Sequence, residues 1–385
     1  MRICYLADGR YVHTHRWMRY FSAAGHSVHL ISFAPLTMEQ LSAVQAAGAV
    51  YHGQHENFHL KKFWLTAKSL RFVRRVLSEQ QIDLLHCHFL GANAWYGALS
   101  RFHPLVITVM GGDVTGPDWR PAPELRERFL TPFALRKADL ITCWSHKLTG
   151  VVKRYARADV PIEVIHGGVD LNTFVPGPRP QYLLDRWKLP LDARIVFSPR
   201  LMRPLYNLDK IALAAREVCA ADPKAYFVFA YPSVSTDIEY EASVRSIVVN
   251  HGLAERVRFI GGIDHAEMAD HYRVADVMVS VPRTDGTPLS VLESMACGTP
   301  VVVSQIPDYD PYYIEPDETV LDAAAEDSRE LAATIMKLLD DRTVANRISK
   351  QALERVVRSA GYISQMSRMQ QLYDDVANAY RAAAD

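Results

Sequence analysis

The stretch Asp285-Gly286-Thr287-Pro288-Leu289-Ser290-Val291-Leu292-Glu293 lies between two short apolar runs, Val277–Val279 and Val301–Val303. Short apolar runs bounded by turn residues predict buried strands, and the segment between them predicts a loop followed by a helix. We expect Ser290 to be the N-cap of that helix, because a hydroxyl is a preferred cap. A strand, a loop and a helix in this order direct free backbone N–H groups and the positive end of a helix dipole at one point. The stretch therefore predicts a phosphate-binding loop.

Two carboxylates bracket this loop and extend the prediction. Asp285 and Glu293 cannot bind phosphate themselves, because like charges repel. Their oxygens can instead accept hydrogen bonds from hydroxyl groups on either side of a phosphate. A diphosphate flanked by two polyols is a nucleotide sugar, which is therefore the expected ligand. The alternative interpretation is that both acids only complement the helix dipole.

Short apolar runs alternate with helical patterns along the whole chain of 385 residues. This alternation predicts an α/β protein with parallel sheets covered by helices, and ligands at the carboxyl ends of the strands. The chain is too long for one ordinary core, and the proline-rich segment Val175–Pro180 predicts a linker. We expect one domain over residues 1–174 and a second over residues 175–361. The expected strands are 3–6, 28–31, 84–87, 105–109, 140–143, 164–165, 195–198, 226–229, 257–260, 277–279, 300–303 and 320–321.

Composition narrows the classes of function. The formal net charge is zero, so no overall charge attracts the chain to nucleic acid. The five cysteines have no paired spacing, which predicts free thiols in a reducing compartment. The first apolar run is too short for a signal peptide, and no run is long enough to span a membrane. We therefore expect a cytoplasmic protein.

Residues Ser280 to Val303 resemble the donor-site signature of the retaining glycosyltransferases of family 4, which reads roughly E-G-F-G-L-x-x-L-E-A-M-A-x-G-x-P-V-V. This chain has D-G-T-P-L-S-V-L-E-S-M-A-C-G-T-P-V-V, with the same spacing between the acids. The segment Ile165–Asp170, followed by Phe174, resembles the hinge motif I-P-x-G-V-D-x-x-x-F. The resemblance implies the GT-B fold, in which two Rossmann-like doubly wound domains face a central cleft. It also implies that a final helix, residues 362–385, packs back on the first domain.

The resemblance assigns functions to individual residues of the second domain. Glu293 would hold the ribose hydroxyls of the donor, and Asp285 would hold the hydroxyls of the transferred sugar. Arg200, which follows an expected strand, would clamp the diphosphate through charge-assisted hydrogen bonds. The donor loop that assists it comprises Gly286, Thr287, Pro288, Leu289 and Ser290.

The second domain departs from the family after Arg200. The family has a lysine five residues later, in an E-K-G sequence, and this chain has none there. Arg203 and Lys210 are the candidate replacements, and both are surface charges in the alternative interpretation. Asn207 is a candidate donor ligand and also a candidate helix N-cap.

The first domain departs from the sequence pattern of the family at two loops. The family's T-x-H-G-x-D segment falls on Thr108–Asp113, with Met110 in place of the histidine. Asp113 is then the polar group left to bind acceptor or sugar, or a structural cap of the turn. In the loop after the first strand the double glycine of the family is absent, and Gly9 and His13 are the candidate site residues. An ordinary helix start at Thr14 is the alternative there.

The sequence thus predicts a retaining glycosyltransferase that moves a sugar from a UDP- or GDP-sugar to a hydroxyl acceptor, in bacterial polysaccharide, lipid-linked glycan or glycoconjugate synthesis. We expect no metal requirement, because cationic side chains and a helix terminus replace the metal ion. Asp308-Tyr309-Asp310 has the D-x-D pattern of metal-dependent glycosyltransferases, but flanking prolines predict a turn. A nucleotide-sugar epimerase or hydrolase of the same fold, and a non-catalytic nucleotide-sugar-binding subunit, remain as alternatives.

A basic segment in the first domain suggests a second partner. Residues 58–78 contain six basic residues and no acid, and their apolar residues recur at helical spacing. A basic amphipathic helix with a tryptophan at its edge suits an anionic membrane surface, and several members of the family dock on the cytoplasmic leaflet in this way. The alternative is a helix whose apolar stripe lies on the sheet and whose charges lie in water. The basic residues are Lys61, Lys62, Lys68, Arg71, Arg74 and Arg75.

Overall fold

The computed structural model describes residues 1–32, 34–55, 63–111, 125–232 and 236–384. The chain forms two compact units, one of residues 1–167 with 363–385 and one of residues 168–362. The division lies at Gly167 rather than at residue 174. Val169 belongs to the second unit because it exchanges backbone hydrogen bonds with Ala360 and Tyr362, both at 2.7 Å between N and O. Phe174 is likewise fully buried in the second core.

Each unit is built on a parallel sheet, as the alternation of the sequence predicts. In the described chain the first sheet has the order β3-β2-β1-β4-β5-β6-β7 and the second the order β10-β9-β8-β11-β12-β13. The strands are β1 (Arg2–Ala7), β2 (Ser27–Ser32), β3 (Ala49–Gln54), β4 (Leu84–His88), β5 (Leu105–Val109), β6 (Leu140–Cys143), β7 (Ile162–Val164), β8 (Arg194–Ser198), β9 (Ala225–Ala230), β10 (Val257–Ile260), β11 (Val277–Ser280), β12 (Val301–Ser304) and β13 (Leu321–Ala323).

Helices, whose apolar stripes pack against the sheets, connect consecutive strands except β12 and β13, and three further helices follow the last strand. They are α1 (Val12–Ala23), α2 (Met38–Ala46), α3 (Phe63–Glu79), α4 (Ala92–Ser100), α5 (Leu125–Lys137), α6 (His146–Lys153), α7 (Gln181–Trp187), α8 (Leu208–Ala221), α9 (Ile238–Asn250), α10 (Met268–Val274), α11 (Leu289–Ala296), α12 (Ser328–Asp340), α13 (Arg342–Ser359) and α14 (Tyr362–Ala384). A short 3₁₀ helix spans Pro204–Tyr206. None of the described helices is long and apolar enough to cross a membrane.

Strand β3 was not expected from the sequence. It lies at the edge of the first sheet, where Val50 is half exposed and the register with β2 shifts after Leu30. A glycine with positive φ, Gly53, interrupts its residue pattern. An exposed, irregular edge strand carries little of the continuous apolar signal that identifies central strands.

The final helix α14 belongs to the first unit, and a buried hydrogen-bond network holds it there. The Tyr373 hydroxyl is 2.5 Å from His86 Nδ1 and 3.1 Å from the Tyr5 hydroxyl, and His86 Nε2 is 2.6 Å from Thr108 Oγ1. Burial lowers the pKa of His86 well below its usual value, with a further contribution from His88. His86 is therefore neutral, and the network needs no buried charge.

We predict that Tyr373→Phe lowers the free energy of unfolding by about 1–3 kcal/mol, because it leaves buried partners without their hydrogen bond. Tyr380→Phe is the matched control, since Tyr380 lies on the same helix and is exposed; it should change stability by less than about 0.5 kcal/mol. Urea unfolding of both variants makes the comparison. Equal effects would show that the network does not stabilise α14.

Candidate functional site

The site in the second unit forms where two neighbouring strands end. Strands β8 and β11 are paired in parallel, with Val277 opposite Val196. Their carboxyl ends therefore lie at the same edge of the sheet, and so do the loops that follow them. The two loops are joined by a backbone hydrogen bond from Arg283 N to Leu205 O at 2.9 Å. This edge is where ligands bind in sheets of this type.

Arg200, predicted to clamp a diphosphate, crosses from the β8 loop to the β11 loop. Its guanidinium donates to Asp285 Oδ2 at 2.6 Å and to Ser290 Oγ at 2.9 Å, and it lies 4.4 Å from the centre of the Tyr206 ring. Desolvation acts to lower the pKa of Arg200, but the Asp285 carboxylate and nearby tyrosines outweigh it and the pKa is raised. Arg200 therefore carries a fixed, largely buried positive charge beside the predicted donor loop.

Helix α11 begins two residues earlier than the expected cap implies. Its N-cap is Pro288, and no side chain caps it. The prediction that Ser290 is the N-cap is wrong, because Ser290 lies inside the first turn and its hydroxyl accepts from Arg200 instead. The first-turn N–H groups of a helix have no acceptor within it. An uncapped terminus next to a guanidinium is a site for an anion.

Three buried hydroxyl groups at this edge have no hydrogen-bond partner within the described chain. They belong to Ser198 at the end of β8, Ser280 at the end of β11 and Thr287 in the donor loop. A buried hydroxyl without a partner costs about 1–3 kcal/mol. Their clustering at the ends of the two central strands indicates that a polar ligand or ordered water completes them.

Glu293 lies on α11 and is mostly buried. The hydroxyl of Tyr272, from α10, donates to Glu293 Oε2 at 3.2 Å. Burial raises the pKa of Tyr272 well above its usual value, and the nearby Glu293 carboxylate raises it further. Tyr272 therefore stays protonated and orients the carboxylate as a hydrogen-bond donor.

The D-x-D segment lies in a turn after β12, as predicted, and it supports the donor loop. Asp310 donates its backbone N–H to Gly286 O at 3.0 Å, and its carboxylate accepts from the N–H of Tyr312 at the same distance. Asp308 accepts a hydrogen bond from Thr284 Oγ1 at 2.8 Å. Among the described residues, no group of acids, histidines and cysteines is arranged to hold a metal ion.

The candidate replacements for the family's lysine differ in their surroundings. Lys210 Nζ lies 2.6 Å from Glu326 Oε2, so its charge is already paired. Arg203 precedes the 3₁₀ helix and is exposed. Asn207 is the N-cap of α8, in the left-handed region with φ of 51°, but its side chain makes no cap bond. It donates instead to Val281 O at 2.9 Å, which gives this residue a structural function.

A further arginine was missed by the sequence analysis. Arg283 Nε donates to Asn207 Oδ1 at 3.2 Å, which fixes the guanidinium at the edge of the donor loop. Of Arg200, Lys210 and Arg283, only Arg283 has no carboxylate partner in the described chain. Its position two residues before Asp285 was the available signal. The sequence carried no such signal for Tyr272, because its contact with Glu293 depends on how α10 packs against α11.

The candidates in the first unit lie at the carboxyl edge of its own sheet. Gly9 follows β1, and a Cβ atom there would lie 3.0 Å from the side-chain methyl groups of Leu30 and Leu36, which would have to shift slightly to admit it. His13 lies in α1, which begins at Val12 rather than at Thr14. The ring of His13 packs edge-on against Trp144 at 5.0 Å between centres.

Asp113 lies outside the described residues, as do Lys61 and Lys62 of the basic segment. The described part of that segment is α3, which buries Val73 and Leu77. Arg74 is a structural residue, because it donates to the carbonyl groups of Leu99 and Ser100 at the end of α4. The five cysteines are free, as predicted.

Family models match both units. The model described as Glycosyltransferase Family 4 matches residues 8–173, and the model described as Glycosyl transferases group 1 matches residues 184–355. A D-inositol 3-phosphate glycosyltransferase from Kineococcus radiotolerans is 27% identical over 60% of this chain and 55% of its own length. An N-acetyl-alpha-D-glucosaminyl L-malate synthase from Bacillus anthracis is 22% identical over 91% of this chain and 90% of its own length. The chain spans about half the length of the first inositol-phosphate relatives.

Solved structures show the same fold. A sucrose-phosphate synthase from Thermosynechococcus elongatus has a TM-score of 0.80 at 19% identity, covering 98% of this chain and 100% of its own. The Anabaena protein HepE, in complex with UDP and glucose, has a TM-score of 0.79 at 17% identity, covering 97% and 100%. These similarities establish the GT-B fold. With the two models matching residues 8–173 and 184–355, the chain belongs to the family 4-like glycosyltransferases.

Proposed function

We propose that this chain transfers a sugar from a UDP- or GDP-sugar to a hydroxyl group of an acceptor, with retention of configuration at the anomeric carbon. The observation that carries the proposal is the Arg200 guanidinium beside the uncapped start of α11. A nucleotide diphosphate supplies the anion that this arrangement lacks. Its ribose hydroxyls would bind Glu293, and the hydroxyls of its sugar would bind Asp285.

The charges of the site support a leaving diphosphate. Arg200 is paired with Asp285 and Lys210 with Glu326, so Arg283 supplies the positive charge without a carboxylate partner in the described chain. A diphosphate brings about two or more negative charges at neutral pH, and pre-arranged donors stabilise charge that develops on it. We propose that Arg283 takes the part of the missing lysine, and that no metal ion is needed.

The proposed step breaks the bond between the anomeric carbon and the diphosphate oxygen. A bond from the acceptor oxygen to the same carbon forms on the same face, through an oxocarbenium-like state. The acceptor's proton passes to the leaving phosphate oxygen, and the electron pair of the broken bond stays on the diphosphate. Arg200, Arg283 and the first N–H groups of α11 stabilise the charge that results.

Two other functions predict different products. An epimerase or hydrolase would consume the nucleotide sugar without an acceptor, and a binding subunit would not consume it. The hinge motif and the match over residues 280–303 favour the transferase over an epimerase or hydrolase. Both carboxylates and Arg200, held in place within one unit, argue against a non-catalytic subunit. Release of the nucleoside diphosphate that rises on adding an acceptor, followed by NMR of the product's anomeric configuration, tests the proposal directly.

We also propose that α3 contacts an anionic membrane surface. Lys68, Arg71 and Arg75 line a groove of about 500 Å³ with Gln54, Ser69 and Phe72, and Trp64 is half exposed on the same helix. Each basic residue near an anionic surface contributes about 1 kcal/mol, which salt screens. Cytoplasmic location with peripheral attachment to the inner face of the cell membrane is part of this proposal.

The ribose contact gives the first functional prediction. Glu293→Gln should weaken donor binding by about 2–4 kcal/mol, and Tyr272→Phe should weaken UDP binding by about tenfold because the carboxylate loses its orienting bond. Neither substitution should change the affinity for 2′,3′-dideoxy-UDP, which lacks the ribose hydroxyl groups that Glu293 would bind. Calorimetric titration measures the affinity for UDP and for its dideoxy analogue. Tyr313→Phe, in the same core, is the control and should leave UDP binding unchanged.

The contact with the diphosphate gives the second functional prediction. Arg283→Gln should weaken UDP binding by about tenfold and leave uridine binding unaltered, whereas Arg329→Gln, an exposed arginine on α12, should change neither.

The absence of a metal requirement gives a third prediction, that the wild-type protein keeps its turnover in EDTA. Activity that is lost in EDTA and restored by Mg²⁺ or Mn²⁺ would contradict the assignment of the positive charge to arginine side chains, and would make Asp308 and Asp310 candidate metal ligands.

For the membrane, phosphatidylglycerol vesicles should bind the protein at low salt and release it at high salt. Changing Lys68, Arg71 and Arg75 together to serine should abolish binding. Arg74 is left intact because its bonds to α4 are structural. Sedimentation with vesicles measures the bound fraction, and phosphatidylcholine vesicles are the control. Wild-type protein that ignores the anionic vesicles at low ionic strength would refute the proposal.

A further inference from the structure

One arginine side chain holds the segment that ends the hinge motif. Arg273, on α10, donates from Nε to the carbonyl oxygen of Val175 at 2.8 Å, and from one terminal nitrogen to the carbonyl oxygen of Thr173 at 2.9 Å. Its other terminal nitrogen donates to Asp270 Oδ1, on the same helix, at 2.9 Å. A planar guanidinium suits three acceptors because its N–H groups point in fixed directions. Arg273 therefore ties α10 to the chain on either side of residue 174.

The segment held in this way continues into a stretch that is poorly suited to regular secondary structure. Three of the six residues in Val175–Pro180 are prolines, and proline has no N–H group to donate to a helix or a sheet. A Cβ atom on Gly177 would lie 3.0 Å from Arg273 Nε, so the backbone of the stretch runs directly against the guanidinium. The arginine side chain thus supplies contacts that a backbone ladder supplies elsewhere.

Phe174 lies between the two bonded carbonyl groups, and its ring is one contact away from the donor site. It is fully buried, and its ring centre lies 6.0 Å from that of Tyr272. Tyr272 precedes Arg273 on α10, and its hydroxyl donates to Glu293 Oε2 at 3.2 Å. The Tyr272 ring also lies 5.9 Å from the ring of Phe197 in β8. The ring that orients Glu293 therefore packs against the residue that Arg273 holds in place.

We propose that Arg273 is a positioning residue for donor binding. By holding the chain on either side of Phe174, it keeps the Tyr272 ring, and through it the Glu293 carboxylate, in the orientation that binds the ribose hydroxyls. The proposal rests on the proposed donor site and adds a residue that acts through its neighbours. Buried side chains are close-packed, so a displaced Phe174 would shift the ring it contacts. A hydrogen bond weakens steeply when its angle becomes poor, so a small rotation of Tyr272 would release the carboxylate.

Calorimetric titration of UDP or GDP, whichever the wild type binds, and of its 2′,3′-dideoxy analogue tests this role. Arg273→Gln loses the three-sided contact, and we expect it to bind the nucleotide about fivefold more weakly. Its affinity for the dideoxy analogue should equal that of the wild type, because the analogue has no ribose hydroxyls for Glu293 to bind. Arg186→Gln is the matched control: Arg186 pairs with Glu267, the N-cap of α10, at 3.0 Å, and its loss should change neither affinity.

Two further variants test the route through the aromatic rings. In a Tyr272→Phe background, Arg273→Gln should cause no additional loss, because the hydroxyl that it positions is already absent. Phe174→Leu keeps an apolar side chain but removes the ring that packs on Tyr272. We expect it to show the same loss for the nucleotide and the same unchanged affinity for the dideoxy analogue.

The outcomes separate this role from a general structural role and from the donor site itself. A loss confined to the nucleotide with ribose hydroxyls, and absent in the Tyr272→Phe background, supports the positioning role. Equal losses for the nucleotide and its dideoxy analogue, or losses that add to that of Tyr272→Phe, overturn it. Unchanged nucleotide binding by Arg273→Gln also overturns it and leaves the donor site standing. A wild type that binds neither UDP nor GDP removes the donor site and this role together.

Discussion

The contact of Arg200 with Asp285 and Ser290 determines the form of the donor site. It joins the loop after β8 to the loop after β11 and fixes the guanidinium beside the start of α11. That helix has Pro288 as its N-cap and no side-chain cap. Its first N–H groups therefore lie beside a buried positive charge and are available to an anion.

The surrounding residues preserve this arrangement. Asn207 bonds to the end of β11 and to Arg283, and the turn after β12 bonds to Gly286. The unsatisfied hydroxyls at the ends of β8 and β11 lie next to these fixed groups. Groups whose positions are set before a ligand arrives need little reorganisation when charge develops, which is how electrostatic stabilisation becomes effective.

Periodicity and turn residues were enough to predict the parallel sheets, because buried parallel strands read as continuous apolar runs. The same signals did not predict β3, because this exposed edge strand carries only a weak apolar pattern. The spacing of Asp285 and Glu293 predicted which loop to examine, but the bond of Ser290 to Arg200 is a tertiary contact. Arg283 is close to Asp285 in the sequence, which was a usable signal, but its bond to Asn207 depends on the fold. Tyr272 was missed because its contact with Glu293 follows from the packing of α10 against α11. Spacing along the chain carries no information about such packing.

The most direct test of the account is calorimetric titration of UDP and GDP into the wild-type chain and Arg200→Gln. The substitution keeps a hydrogen-bonding side chain but removes the charge that the donor site is built around. We expect the wild type to bind one of the two nucleotides and the variant to bind it at least about tenfold more weakly. Equal binding by both proteins, or no binding of either nucleotide by the wild type, would contradict it.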